Sequence, residues 1–167
     1  MPHPEADLDA LSAQLRDGRV AFGTDNPANE SLAADLTRAM GNIDAAGAAD
    51  VGDIGVVVLE TTPERPGDLR DIAQDLQNVT GLDTVVVRTP NSAAAVSNSL
   101  SRAEIESGQL AMVGEPDYAV GLEAFAAEAD GFAPQWVVVF LVLAAIVAVV
   151  VLMTFFSVVR QLSLIHI

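Results

Sequence analysis

Cysteine is absent from this chain, and so is lysine. Without cysteine there are no disulfides, no thiolate zinc sites and no thiol catalysis, although the absence says nothing about compartment. Histidine occurs only at His3 and His166, near the two ends. A Ser-His-Asp triad, a Cys-His pair and a histidine metal site are therefore unavailable in the body of the chain. No Gly-x-Gly-x-x-Gly and no phosphate loop ending in Gly-Lys occurs. Gly52-Asp-Ile-Gly55 precedes an apolar run where a nucleotide fingerprint would follow one. The missing lysine, beside abundant Ala, Val, Asp and Gly, reads as the codon bias of a GC-rich genome. The opening Met1-Pro-His-Pro-Glu-Ala-Asp7 is acidic, lacks an apolar core, and is not read as a signal peptide.

What is present is an uninterrupted apolar run, Val137 to Val159, with no charged residue. As a helix, 23 residues at ~1.5 Å each span about 34 Å, enough for a ~30 Å hydrocarbon core. Its Val, Leu, Ile and Phe residues each favour insertion by about 0.3 to 0.6 kcal/mol. Thr154 and Ser157 can bond back to the helix's own carbonyls. Trp136 stands at the entry, where an indole suits the headgroup layer, and Arg160 follows the exit. The expected organisation is an acidic globular domain over 1–130, a juxtamembrane link over 131–136, a transmembrane helix over 137–159 and a short tail over 160–167. The membrane anchor residues are Trp136, Val137, Val159 and Arg160. The final Leu162-Ser-Leu-Ile-His-Ile167 resembles the translation of a sequencing adapter, which puts the natural C-terminus in question after Gln161.

All 23 acidic residues precede the apolar run, against seven of the eight arginines. Such a surface repels phosphate backbones and anionic leaflets, which excludes nucleic acid as a partner. The same self-repulsion keeps the domain soluble.

Leu8, Leu11 and Leu15 recur at helical spacing, and Gly18 closes that helix. Val20 to Asn26 is a connection with room for a short strand. Leu32, Leu36, Met40 and Ile43 mark a second helix, with Asn26-Pro27 or Asn29 as its cap and Gly47 beyond its end. Ile54 to Leu59 has the β-branched pattern of a strand covered on both faces. Leu69, Ile72, Ala73, Leu76 and Val79 give an amphipathic helix ending before Gly81. Thr84 to Arg88 is a further strand, stopped by Pro90-Asn91. Ser92 to Leu100 reads equally as a weak strand or a helix start. Ser101-Arg-Ala-Glu104 has the form of a capping box. A last helix follows from Asp117 to Ala129, with Val120, Leu122, Phe125 and Ala126 inward. The fold class is α/β: a small sheet of three or four strands with packed helices, plus one C-terminal transmembrane helix. Parallel neighbours with right-handed crossovers are expected.

Carboxylates are the chemistry left. Asp53, Glu115 and Asp117 are the metal candidates, since loops can turn oxygens toward a calcium ion, which needs six to eight of them. Pairs of acids also arise by chance at this density, and a solvated face is the preferred reading. No catalytic residue and no cofactor-binding residue is assigned, with calcium the sole cofactor considered. Arg65, Arg70 and Arg88 lie near strand ends, where open α/β sheets bind ligands. They are expected to pair with surrounding acids instead.

The strands Ile54–Leu59 and Val85–Val87, the stretch Ser97 to Gln109 with its Arg102-Ala-Glu-Ile-Glu-Ser-Gly108 core, an acidic helix and one terminal span together resemble a family. It is the actinobacterial family of small single-pass membrane proteins found in mycobacteria and corynebacteria, similar in outline to the TPM domain. The resemblance implies an envelope-related role beside cell-wall hydrolases. For TPM domains it implies calcium binding or phosphatase activity, but their acidic ligand pattern is not matched residue by residue here. The expected function is a membrane-tethered, non-enzymatic interaction domain, whose partners are the lipid bilayer and envelope or cell-wall enzymes. The alternative is a carboxylate-dependent, metal-assisted hydrolase. Arg160 against no Lys or Arg within 20 residues before the span favours, by one charge, an extracytoplasmic domain at the cell membrane, with a cytosolic domain on a tail anchor as the alternative.

Overall fold

In the computed structural model, residues 7–48 and 51–131 are described, with the isolated positions 144, 146, 147 and 153. The chain divides into two units, Met1–Phe132 and Ala133–Ile167. Among the described residues no helix is long and apolar enough to cross a membrane. The expected span 137–159 lies outside them apart from those four positions, as do Trp136, Arg160 and the suspect tail.

The first unit is α/β. Its order is α1 (Leu8–Gly18), β1 (Val20–Phe22), α2 (Asn29–Ala46), β2 (Ile54–Val58), α3 (Pro66–Thr80), β3 (Thr84–Thr89), β4 (Ser92–Ser97), α4 (Arg102–Gly114) and α5 (Tyr118–Gly131). The four strands form one mixed sheet in the order β1-β2-β3-β4. β1, β2 and β3 are parallel, and β4 returns antiparallel along β3.

Local chemistry explains most of the boundaries. Asp7 caps α1 by accepting the Ala10 N–H at 3.1 Å. The helix then runs through Gly18, and Arg19 takes the left-handed turn at φ 60°. Glycine would fit that turn without strain, whereas a side chain there costs about 1 kcal/mol. α2 starts at Asn29 after Ala28, and Gly47 closes it with φ 77°. Asn26 serves the entry turn, its side chain accepting the Ala28 N–H. The capping box forms as expected: Ser101 accepts from the Glu104 N–H, and Glu104 accepts from the Ser101 N–H. β2 and β3 are buried along their whole length, as their β-branched runs require. The ambiguous Ser92 stretch is a strand, folded back by the two-residue Pro90-Asn91 turn.

The sheet has helices on both faces. On one, Leu11 and Leu15 of α1 and Leu69, Ile72 and Leu76 of α3 pack on Ala21, Val57, Val85 and Val87. On the other, Leu36, Met40 and Ile43 of α2 with Met112, Leu122 and Phe125 of α4 and α5 cover Ile54, Val56 and Val86. α2 and α3 each link adjacent parallel strands in the same direction, yet lie on opposite faces. The two crossovers therefore have opposite hands, and one departs from the right-handed rule. The cause is that α1 already covers one face of edge strand β1, so α2 has the opposite face to bury against. Two apolar positions also turn outward: Val79 is 55% exposed and Val120 47%.

Candidate functional site

The three carboxylate candidates do not converge. Asp53 precedes β2 at the amino ends of the parallel strands and is ion-paired with Arg19 at 3.4 Å. Its N–H donates to the carboxylate of Asp83, in the turn between α3 and β3. Glu115 and Asp117 lie in the α4–α5 turn, beside the carboxyl end of β3. A five-residue strand separates the two ends, about 16 Å. Asp117 accepts the N–H groups of Ala119 and Val120, which makes it the cap of α5. Among the described residues no group of three or more His, Asp or Glu could hold a metal ion.

Arg88 is 4% exposed, at the end of β3. It has no ion-pair partner among the described residues, contrary to the expected pairing with acids. Its Nη1 donates to the Met112 carbonyl and its Nη2 to the Glu115 carbonyl. The guanidinium lies over the Tyr118 ring, 4.7 Å from its centroid. Met112 is in the last turn of α4 and Glu115 is its C-cap, where the helix dipole leaves partial negative charge. Arg88 is thus the C-terminal cap of α4, and no acid is required. Gly121 makes room for it, because a Cβ there would sit 2.6 Å from Nη1. The strand end gave no signal of this role, since the acceptors are main-chain atoms from 24 and 27 residues away.

Beyond the carboxyl ends of β1 and β2 the chain leaves toward opposite faces, which creates a topological switch point. Glu60 lies there, exposed. Hydrogen bonds from Thr24 and then Asn26 hold its carboxyl below the usual 4.5. The Asn26 bond is 3.1 Å. Thr62 donates to Thr89 at 2.8 Å nearby.

The two edges of the sheet differ. At β1, the Gln14 side chain accepts the Phe22 N–H at 3.0 Å and donates to the Phe22 carbonyl at 3.2 Å. A side-chain amide here imitates a neighbouring strand and closes that edge. At β4 no further strand follows among the described residues. The Asn98 N–H donates to the Asp83 carbonyl at 2.9 Å, which fixes the phase of the antiparallel ladder. Ser92, Ala94 and Val96 therefore bond to β3, and the N–H and C=O groups of Ala93, Ala95 and Ser97 point away from it, Ala95 being only 3% exposed. That edge lies in a groove of about 450 Å³. Gly67 and Arg70 of α3 form one wall, and Arg102, Ile105, Glu106 and Gln109 of α4 the other.

Arginine placement marks the same groove. Arg19, Arg38, Arg65 and Arg102 are ion-paired with acids. Arg16 donates to the Val79 carbonyl at the end of α3, and Arg88 caps α4. Among the described arginines Arg70 alone has neither an ion pair nor a hydrogen bond. It projects from the exposed side of α3 in a domain dominated by acids.

The family model described as membrane protein Rv1476 matches residues 1–163. The chain belongs to this family. Membership makes it a membrane protein of an actinobacterial family, and says nothing of catalysis. No curated protein matches the chain. Among solved structures, the N-terminal domain of the cg2496 protein from Corynebacterium glutamicum, determined by solution NMR, is similar. It shares 18% identity, covers 67% of this chain and 77% of its own, and has a TM-score of 0.48.

Proposed function

We propose that this Rv1476-family protein is a membrane-held interaction module that acts without catalysis, through the edge groove at β4. The observation that carries the reading is the contrast between the edges. β1 is closed by the Gln14 amide, while the outer side of β4 borders a groove between α3 and α4. A groove bordered by an outer strand and two helices is a surface at which a partner segment can meet the domain. The apolar run Val137–Val159 supports a single-pass anchor, with Trp136 and Arg160 at its boundaries. Arg160 supports an extracytoplasmic domain facing envelope or cell-wall enzymes, in keeping with the outline likeness to TPM proteins.

Site-specific photo-crosslinking tests the reading in intact cells. A crosslinker replacing Leu110, which is 78% exposed on α4, is expected to yield a discrete protein adduct. Adducts with lipid alone would overturn it. Protease treatment of spheroplasts fixes the side: digestion of the domain is expected, and complete protection would place it in the cytosol. Calcium titration tests the rival metal-assisted hydrolase. A melting shift at millimolar calcium, together with turnover of a phosphate ester, would replace the interaction reading by that one.

A further inference from the structure

We infer that the outer face of the α4–α5 hairpin receives a basic, amphipathic helix of a partner protein, with Leu110, Val113 and Val120 as the apolar contact. The inference rests on the interaction reading and names the chemistry of its partner. The face is continuous with the groove, because α4 supplies both the groove wall and this surface.

Among the described residues of the first unit four large apolar side chains are exposed, and three of them lie on this hairpin. Leu110 is 78% exposed, Val113 43% and Val120 47%. The core does not use them, since it takes Met112, Leu122 and Phe125 from the same helices. Gly108 lies against Phe125, where a Cβ would meet the ring at 2.7 Å, and Ser107 donates to Glu128 at 2.9 Å. That antiparallel register, continued toward the turn, brings Leu110 level with Ala124 and Val113 level with Val120. The three side chains thus form one patch across two helices, and such patches mark contact sites. Two adjoining helix ridges leave a trough between them, into which a third helix lays apolar side chains at i, i+3, i+4 spacing.

Charge selects the occupant. The hairpin carries seven acids and one arginine, Arg102, which Glu106 already holds at 2.7 Å. The acids border the patch and do not cross it. Asp117 is fixed at the turn as the cap of α5. Asn42 of α2 draws Glu123 to one flank at 2.7 Å, and Ser107 holds Glu128 at the end away from the turn. An apolar centre with an acidic border complements a helix whose apolar face is flanked by lysines or arginines. A second copy would bring the same border against itself, and an anionic leaflet would meet it with like charge.

The test uses the full chain, methyl-labelled at leucine and valine, in phosphatidylcholine nanodiscs. Three helical peptides of equal length serve as probes. One has a leucine face with lysine flanks, the second has the same face with glutamate flanks, and the third has lysine flanks with serine in place of leucine. Empty nanodiscs give the lipid background for each. The lysine–leucine probe is expected to shift the methyl signals of Leu110, Val113 and Val120. It is expected to bind roughly tenfold better than the glutamate probe, an effect of about 1.4 kcal/mol. Glu123→Gln combined with Glu128→Gln keeps both acceptor oxygens and is expected to reduce that preference about threefold. No methyl shift at millimolar lysine–leucine probe would overturn the inference. So would equal binding of the glutamate probe, a preference unchanged by the double variant, or equal binding of the serine probe, which would leave charge attraction alone. Methyl shifts that grow with protein concentration and need no peptide would assign the face to a second copy instead. Broadening of the same methyls by a spin-labelled lipid, with no probe response, would assign it to the bilayer. A protein adduct from the Leu110 crosslinker, with no probe response here, would sink the basic helix while leaving the interaction reading in place.

Discussion

A guanidinium can end a helix, and the domain uses arginine twice in this way. Arg16 reaches the Val79 carbonyl of α3 from an exposed position, and Arg88 reaches the carbonyls of Met112 in α4 and of its C-cap Glu115 from a buried one. Burial decides which of them matters. Exposed Arg16 competes with water, so Arg16→Met is expected to cost under about 1 kcal/mol. Arg88→Met loses two charge-assisted bonds and the Tyr118 contact, but also relieves a desolvated cation whose Nε has no partner. A net loss of about 2–3 kcal/mol is expected, read by chemical denaturation of the full chain in detergent. Arg88→Lys cannot span both carbonyls and is expected to lose about half as much. Equal effects at positions 16 and 88 would show that the buried cap has no special weight. Glu60 gives a second test. Thr24 and Asn26 depress its folded pKa, so its contribution to stability is present above the unfolded value and fades as pH falls through the folded one. The carboxyl ¹³C midpoint is expected below 4.5, and Thr24→Val is expected to return it toward that value.

At the scale of elements, legibility followed how much each segment's own sequence decides. The runs of β2 and β3 and the apolar spacing of α1 and α3 are local signals, and each became the expected element. β4 was ambiguous because alanine has little strand preference. Its conformation is imposed by the Pro90-Asn91 turn and by the ladder with β3. The expected right-handed crossover fails for one of the two connections, since its hand depends on α1 having taken one face of β1. Val79 and Val120 stand at helical spacing but beyond the packed faces. Of the candidate site, Arg70 could be named from its place near a strand end, but its lack of a partner could not. Gln14 gave no signal at all, because its role depends on Phe22 lying at an edge. That role makes a prediction. Gln14→Ala leaves the half-buried Phe22 N–H and C=O to water or to another chain. A loss of about 1 kcal/mol and faster exchange at the Phe22 amide are expected, together with concentration-dependent association. Unchanged exchange at Phe22 would show that the edge is closed by something other than the Gln14 amide.

The molecule as a whole carries a formal charge of −15, and its domain holds every acidic residue. Two electrostatic effects oppose each other there. The four ion pairs among the described residues, Arg19–Asp53, Arg38–Asp35, Arg65–Asp68 and Arg102–Glu106, attract. Each involves an arginine side chain at least 40% exposed, and such pairs contribute about 0–1 kcal/mol apiece. The excess carboxylates repel one another through the whole domain. Salt screens both, but not equally. Raising the ionic strength from 0.01 to 0.1 M shortens the Debye length from about 30 to about 10 Å. That leaves contacts near 3 Å largely intact and removes most repulsion between distant acids. Stability should therefore rise with salt. A gain of about 1 kcal/mol, or roughly 3–5 °C in melting temperature, is expected for a domain of this size. Sodium chloride should produce it as well as calcium chloride at matched ionic strength, since screening does not distinguish the cation. A melting temperature that falls with salt would mean that the ion pairs outweigh the repulsion. A response to calcium far beyond that to sodium would point to a specific site among the carboxylates.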